Sequence, residues 1–506
     1  MHGLMRAGTL VILLVSLAAM LGAGVVRVFR FEGLSDYGEG TLLAVVERID
    51  REPISPRWLE APEITLAPYG PGYYFLAREV SHITPWEHSL IPGRLASLLA
   101  MWATALLIGI AAGRSGRSLE IGLMAGMAYL MTPAVHTWGT TYRVDSLATF
   151  FAVASCLAAG HGKKGLAASA LLIVAGSLVK QTVALSAAGV FGWLLLERRY
   201  RDAAWYLQLV AGLGLSAWWT LNRATDGYYF ASALAGNLGR MSPTRGLLAT
   251  LDFLTSPLSV VTAWALWQRW GSRSESVEAV EAQPTRGWSR FEVALVLSTL
   301  LAGTLACKEG SAPCYFLEAS ALAALVFGCH GLPLVARRPK VFLAGLALLS
   351  LALAFPEVRF VREHWHKLGT VTYGQELVST HVRAGDRVLA DGQHLSAVLT
   401  AGASPVLNDP FYFRQMSDGG RISPSLLVDA ITRGEIDKLV FKKSIAAHRL
   451  EIGKESQRWA ESVLDAMEQH FELEAEMPEL FIYRRRMAAS TTAPRAADER
   501  HGASRR

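Results

Sequence analysis

Apolar residues run in long blocks along this chain, among them 9–26 and 341–355. Blocks of about 20 apolar residues match the hydrocarbon thickness of a bilayer. Backbone in lipid must satisfy its own hydrogen bonds, so such blocks are expected to be helices. About eleven spanning helices are predicted, with cores near 9–28, 91–112, 119–138, 144–160, 166–179, 181–196, 203–221, 247–269, 291–307, 312–330 and 341–355. From about residue 357 the pattern changes. Short apolar runs at 387–391, 406–407, 437–441 and 481–483 read as strands, and 394–401, 425–432 and 456–470 as helices. Strands alternating with helices imply a small water-soluble α/β domain over 357–486. Residues 487–506 are rich in Ala, Arg, Ser and Thr and are expected to be disordered.

The one long polar interruption inside the apolar half is the loop 29–90. After Gly40, the residues Leu42, Leu43, Val45, Val46 and Ile49 recur at helical spacing among Glu47, Arg48, Asp50 and Arg51, an amphipathic helix suited to lying in the membrane interface. A proline-bearing stretch follows and ends in Pro68-Tyr69-Gly70-Pro71-Gly72-Tyr73-Tyr74-Phe75. Tyrosines at rigid turns suit a pocket rim at headgroup level.

Composition agrees with the membrane reading: 51% of the 506 residues are hydrophobic and only 18% charged. The net charge is +6, but the basic residues gather at segment ends and in the tail, which speaks for topology and against nucleic-acid binding. With a cytoplasmic N-terminus, one set of connections holds Arg6, Arg114, Arg117, Lys163, Lys164, Arg198, Arg199, Arg201, Arg269, Arg273, Arg286, Arg290, Arg337, Arg338 and Lys340. The other set is poor in basic residues, so the loop 29–90 and, for an odd helix count, the tail are expected outside the cytoplasm. The apolar stretch at 1–29 is too long for a signal peptide and no small-residue cleavage site follows it, so it reads as an uncleaved first helix. Cys156, Cys307, Cys314 and Cys329 lie in or beside apolar segments and form no CxxC pair. They read as packing residues, although the Cys307–Cys314 spacing would allow a disulfide.

Chemistry concentrates where charge meets these outer ends. Asp36-Tyr37-Gly38-Glu39-Gly40 follows the first helix, and on a helix the spacing of Asp36 and Glu39 would put both carboxylates on one face. A carboxylate at the rim of a low-dielectric cavity can act as a general base, and a pair can hold a divalent cation. The plain alternative is capping of the helix that Glu39 precedes. Arg143-Val144-Asp145 stands where the third segment gives way to the fourth, as an ion pair or facing a cavity. His136 nearby reads as a packing or hydrogen-bonding residue. Lys180-Gln181 lies between two apolar blocks and Lys308-Glu309-Gly310-Ser311 at another outer connection, where cations could hold a lipid phosphate or simply snorkel. Glu318, inside a spanning segment, is expected to pair with a cation in the bundle.

Taken in order, these positions resemble the GT-C superfamily of membrane glycosyltransferases, and more narrowly its bacterial members related to protein O-mannosyltransferases and aminoarabinose transferases. The likeness is carried by Asp36-Tyr-Gly-Glu-Gly40, Tyr69-Gly-Pro-Gly-Tyr-Tyr-Phe75, Gly93-Arg-Leu-Ala-Ser97, Arg143-Val-Asp145, Lys180-Gln-Thr182 and the run from Lys308 to Tyr315-Phe-Leu-Glu318, over about residues 8–355. The resemblance implies a GT-C-like transmembrane domain over 1–356 and a small C-terminal α/β extracytoplasmic domain, in a multi-pass inner-membrane protein. It also implies inverting transfer of a sugar from a polyprenyl-phosphate donor to a lipid, glycan or protein acceptor. In that reading Asp36 or Glu39 deprotonates the acceptor hydroxyl, and Arg143, Lys180 or Lys308 stabilises the departing phosphate. Asp145, Tyr69 and Tyr73 complete the substrate-binding set, and a divalent metal at Asp36 and Glu39 is left open. The family pattern has adjacent Asp-Glu in the first loop, whereas Gly38 precedes Glu39 here. Asp36 is favoured as base because Glu39 has the stronger capping role. A transporter or flippase of lipid-linked sugars would show paired repeats and broken helices in both halves. No repeat is evident, and a sensor or assembly protein would explain the tail but not the acidic motif.

Overall fold

Helix forms at every apolar segment predicted above, but breaks divide several of them. The computed structural model describes residues 2–29, 37–60, 62–86, 88–234, 239–271, 288–311, 313–336, 339–365, 373–454 and 456–486. The predicted disordered end, 487–506, lies outside them, as does Asp36. By length and composition, three described helices can cross a membrane: Met5–Phe29, Ile91–Gly116 and Pro313–Leu334. The pair Pro243–Thr255 and Pro257–Trp270 passes the same test as a unit but bends by 67°. The cause is local, since Pro257 forces Ser256 before it into extended backbone, φ −60° and ψ 146°. Leu119–Leu130, Asp145–Ala158 and Gln181–Leu196 are apolar but shorter. The last segment is longer than expected and runs Pro339–His364 through Pro356.

At 1.5 Å per residue, the helix Ile91–Gly116 is about 39 Å long, enough to cross a bilayer. Near one end of it Arg6 pairs with Glu120; at the other, Arg94 meets the first loop. The four cysteines are free thiols.

The tail carries a five-stranded sheet in the order β2-β1-β3-β5-β4, with β1 Arg387–Ala390, β2 Ser404–Leu407, β3 Lys438–Phe441, β4 Phe471–Met477 and β5 Leu480–Arg485. β1 pairs parallel with β2 and β3, and β5 pairs antiparallel with β3 and β4. Strand β4 and the helices Tyr373–His381 and Pro410–Asp418 are absent from the reading above. In β4 alternating glutamates mask the apolar signal.

The first loop forms its helix, Tyr37–Arg51, but not in the expected place. Leu42, Leu43, Val45 and Val46 are buried between the bundle and the tail, in one core that continues through Tyr73 and Tyr142 to Val388, Val398 and Val440. An amphipathic face suits a membrane interface and a protein core equally well, and the tail supplies the core. The join is close-packed. A Cβ on Gly40 would sit 1.9 Å from the Gly392 carbonyl oxygen and 3.0 Å from Leu395 Cβ, so only glycine fits. Beside it, buried Asn408 receives the Leu66 N–H at 2.8 Å and donates to the carbonyls of Leu66 at 2.9 Å and Thr41 at 3.3 Å. Ile64 adds a parallel bridge to Leu407, with its N–H on the Val406 carbonyl at 2.7 Å. Gly40→Val is expected to part the loop helix from the tail at a cost of about 1–3 kcal/mol. It should lower the thermal unfolding midpoint of the purified protein, and an unchanged midpoint would contradict this packing.

Candidate active site

The extended backbone of Lys180, φ −142° and ψ 122°, ends one helix before the 3-10 turn Gln181–Ser186 and turns the lysine inward. Its ammonium lies 2.6 Å from Asp145 Oδ1, and Arg143 Nε lies 3.3 Å from Asp145 Oδ2. Asp145, in the first turn of Asp145–Ala158, is buried, with a side chain 1% exposed. Two cations therefore share one carboxylate, leaving the trio with one net positive charge. Aromatic faces complete the cage. Lys180 Nζ stands 4.3 Å from the centre of the Tyr315 ring, and the Arg143 guanidinium 5.3 Å from that of Trp138. Arg143 also reaches the Tyr69 hydroxyl at 3.5 Å. Gln181 orients this wall by donating to the carbonyls of Pro68 at 2.9 Å and Ala233 at 2.8 Å. Beside the trio is a cavity of about 50 Å³ whose lining includes Asp145, Lys180, Ser186, Cys314, Tyr315 and Glu318. Glu318 accepts from the Ser186 hydroxyl at 2.6 Å, where a cation partner was expected.

Lys308 comes to the same neighbourhood from the other half of the bundle. The strand-like pairing of Met241 with Lys308 holds its backbone, through Ser242 N–H to Cys307 O at 2.6 Å and Glu309 N–H to Arg240 O at 2.8 Å. Burial and the nearby Lys180 charge draw the Lys308 ammonium down to about 8, with Asp409 of the tail opposing. Arg143, Asp145, Lys180, Tyr69 and Lys308, predicted from four separated stretches, thus converge. Tyr73 is a wall residue. Its hydroxyl donates to the Gly93 carbonyl at 2.8 Å and shares a hydrogen bond with Ser97 at 2.9 Å.

Glu39 is held differently. Its carboxylate is fully buried and accepts Arg94 Nε at 2.8 Å, Arg94 Nη2 at 2.7 Å and the Tyr142 N–H at 2.7 Å. Both oxygens are thus engaged by a fork-shaped cation and a backbone donor, and this arrangement does not fit a metal ligand. Among the described residues, no cluster of three or more His, Cys, Asp or Glu side chains could hold a metal ion. The site residues absent from the sequence reading are Arg94, Tyr315 and Asp409. Arg94 and Tyr315 lie inside motifs already singled out. Asp409 carries a helix-start signal, Asp before Pro410, which says nothing of what the helix faces. His136, expected to pack or hydrogen-bond, lies with Nε2 3.3 Å from Glu357.

No family model matches the chain, and no curated protein matches it. Solved structures do. ArnT from Cupriavidus metallidurans bound to undecaprenyl phosphate superposes with a TM-score of 0.60 at 10% identity, over 94% of this chain and 98% of that one. The same protein in the apo state gives 0.56 at 13% identity, over 94% and 98%. The apo oligosaccharyltransferase of Archaeoglobus fulgidus aligns at 0.49 and 12% identity, over 90% of this chain and 72% of that one. The chain has the GT-C fold. The apolar helices and that fold are those of a multi-pass membrane protein. Within the GT-C fold, the Glu39–Arg94 pair ties the acidic motif to the helix Ile91–Gly116. Removing one partner leaves a buried charge, so Glu39→Gln is expected to cost about 3–5 kcal/mol. The double change Glu39→Met, Arg94→Leu should recover most of it, as read from unfolding midpoints. A single variant as stable as wild type would contradict a structural pair.

Proposed function

We propose that the protein moves a sugar from a polyprenyl-phosphate donor to an acceptor hydroxyl at the extracytoplasmic face of the inner membrane. The observation that carries this reading is the Asp145 trio, in which Arg143 and Lys180 are gathered on one buried carboxylate with Lys308 nearby, on the fold that ArnT shows with undecaprenyl phosphate bound. Arg143, Lys180 and Lys308 hold the donor phosphate and stabilise the negative charge that grows as it departs. Transfer is an inverting displacement. The acceptor O–H bond breaks, its oxygen forms the new bond to the anomeric carbon, and the sugar–phosphate bond breaks with its electron pair on phosphate. The proton passes to Asp36. Glu39 acts as the anchor that positions the segment bearing Asp36, because its own oxygens are already engaged. Tyr69 and Tyr73 shape the rim. The N-terminus lies in the cytoplasm, 1–356 forms the membrane domain, and 357–486 is an extracytoplasmic domain. The sugar is a hexose or pentose.

A flippase for lipid-linked sugars is the second reading, favoured by the 67° break at Ser256-Pro257. Membranes given labelled undecaprenyl-phosphate mannose and undecaprenyl-phosphate aminoarabinose, with an extract of lipid and protein acceptors, separate the two. Transfer of label supports the enzyme, and donor crossing without transfer supports the flippase. Asp36→Asn is expected to lower transfer about 10²–10⁴-fold while undecaprenyl phosphate still binds; full activity would remove Asp36 from its role. The Lys308 charge is present below about pH 8 and lost above it. Undecaprenyl phosphate affinity should therefore weaken as pH rises through 8, and Lys308→Gln should abolish that step. A pH-independent affinity in wild type would exclude Lys308 from the phosphate site.

A further inference from the structure

The tail helix Pro410–Asp418 grips the Lys308 turn and carries a carboxylate to it. Arg414, buried, pairs with buried Glu309 at 2.8 Å, and Gln415 donates to the Glu309 carbonyl at 3.4 Å. Gly310, at φ +74°, lies against the Phe411 ring. Asp409 caps this helix and is 8% exposed. Its Oδ1 accepts the Tyr412 N–H at 2.9 Å and the Tyr37 hydroxyl at 3.1 Å. The Tyr37 hydroxyl in turn accepts the Phe411 N–H at 3.2 Å, and the Arg458 guanidinium sits 3.9 Å from the centre of the Tyr37 ring. Asp409 is therefore rigidly aimed.

The other oxygen is unspent. Among the described residues, Asp409 Oδ2 accepts no hydrogen bond and has no cation within salt-bridge distance, yet it is not sealed from solvent. Lys308, Arg143 and Arg458 act on Asp409 electrostatically from farther away. A rigidly held carboxylate oxygen that solvent can reach is an acceptor position that a ligand's donor can take over from water. Its charge repels a phosphate, so the partner is a hydrogen-bond donor.

We propose that Asp409 Oδ2 binds a hydroxyl or ammonium group of a sugar in this site. The inference rests on the glycosyltransferase reading. Two sources share that chemistry, the sugar being transferred and the acceptor. The tail thereby contributes a substrate-binding residue to a site otherwise built by the bundle and the first loop.

Asp409→Asn keeps an oxygen for Tyr412 and Tyr37, and asparagine caps helices as well as aspartate, but it replaces Oδ2 by a donor. Full-length protein in detergent is assayed for the KM of donor and of acceptor at pH 5 and 7, and for the Kd of bare undecaprenyl phosphate. Burial pushes the Asp409 carboxyl up to about 6, against the hydrogen bonds of Tyr412 and Tyr37 and the charges of Arg458 and Arg143. It is ionised at pH 7 and protonated at pH 5. One KM is expected to rise about tenfold in the variant, with the undecaprenyl phosphate Kd unchanged. In wild type the same KM should rise from pH 7 to 5, and this rise should vanish in the variant. The KM that moves names the source: the donor's for the transferred sugar, the acceptor's for the acceptor. Unchanged KM values with active wild type would overturn the inference alone, as would a Kd for undecaprenyl phosphate that shifts with the KM, or a pH step that survives in the variant. The wild-type pH series needs no variant, so a failure of Asp409→Asn to fold does not shield the idea. A wild type that neither binds undecaprenyl phosphate nor transfers sugar would end the enzyme reading and this inference with it.

Discussion

Charge taken out of water has to find a partner, and the region between the helical bundle and the tail is organised around that requirement. Glu39 has Arg94, Asp145 has Lys180 and Arg143, and Glu309 has Arg414. Apart from Arg143, which is two residues from Asp145, each partner comes from a separate segment of the sequence. The first ties the loop helix to the bundle, the second ties two connections within the bundle, and the third ties the bundle to the tail. The charges thus fix which segments meet, while apolar burial supplies most of the driving force. At Asp145 one buried carboxylate gathers two cations, so Arg143 and Lys180 are held side by side.

Backbone satisfaction does the same work without charge. The stretch 62–68 has no regular partner of its own, and buried N–H and C=O groups must be paired. Asn408 answers for Leu66 and Thr41, β2 for Ile64, and Tyr228 and Ser232 for Ala67. A first loop threaded this way is a structural layer rather than a flexible cover. That is why its Pro-rich course, which would be mobile if exposed, can present Tyr69 at a set distance from Arg143.

Periodicity and charge made the helical segments, most of the strands and the cationic cluster legible. Apolar runs declare themselves because lipid and core select for them alike. The same equivalence hid the fate of the Tyr37–Arg51 helix, whose pattern fits a membrane surface as well as the protein interior it occupies. Glu39 stood out as an acid, but its engagement by Arg94 and the Tyr142 N–H depends on a helix that begins some fifty residues later. Asp409 was invisible for a related reason. A helix cap reads the same whether it faces solvent or a site.

The pairing of Leu66 with Asn408 spans 342 positions. Closing a loop of that length is entropically costly and slow compared with local helix formation. Local helix packing is therefore expected to precede this pairing, because the partners of Ile64 and Leu66 lie in the last fifth of the chain. The candidate site is accordingly expected to be the final part of the molecule to assemble. Any chain cut short before β2 would carry most of its helices into the bilayer yet leave the loop unanchored and the cation cage open to water.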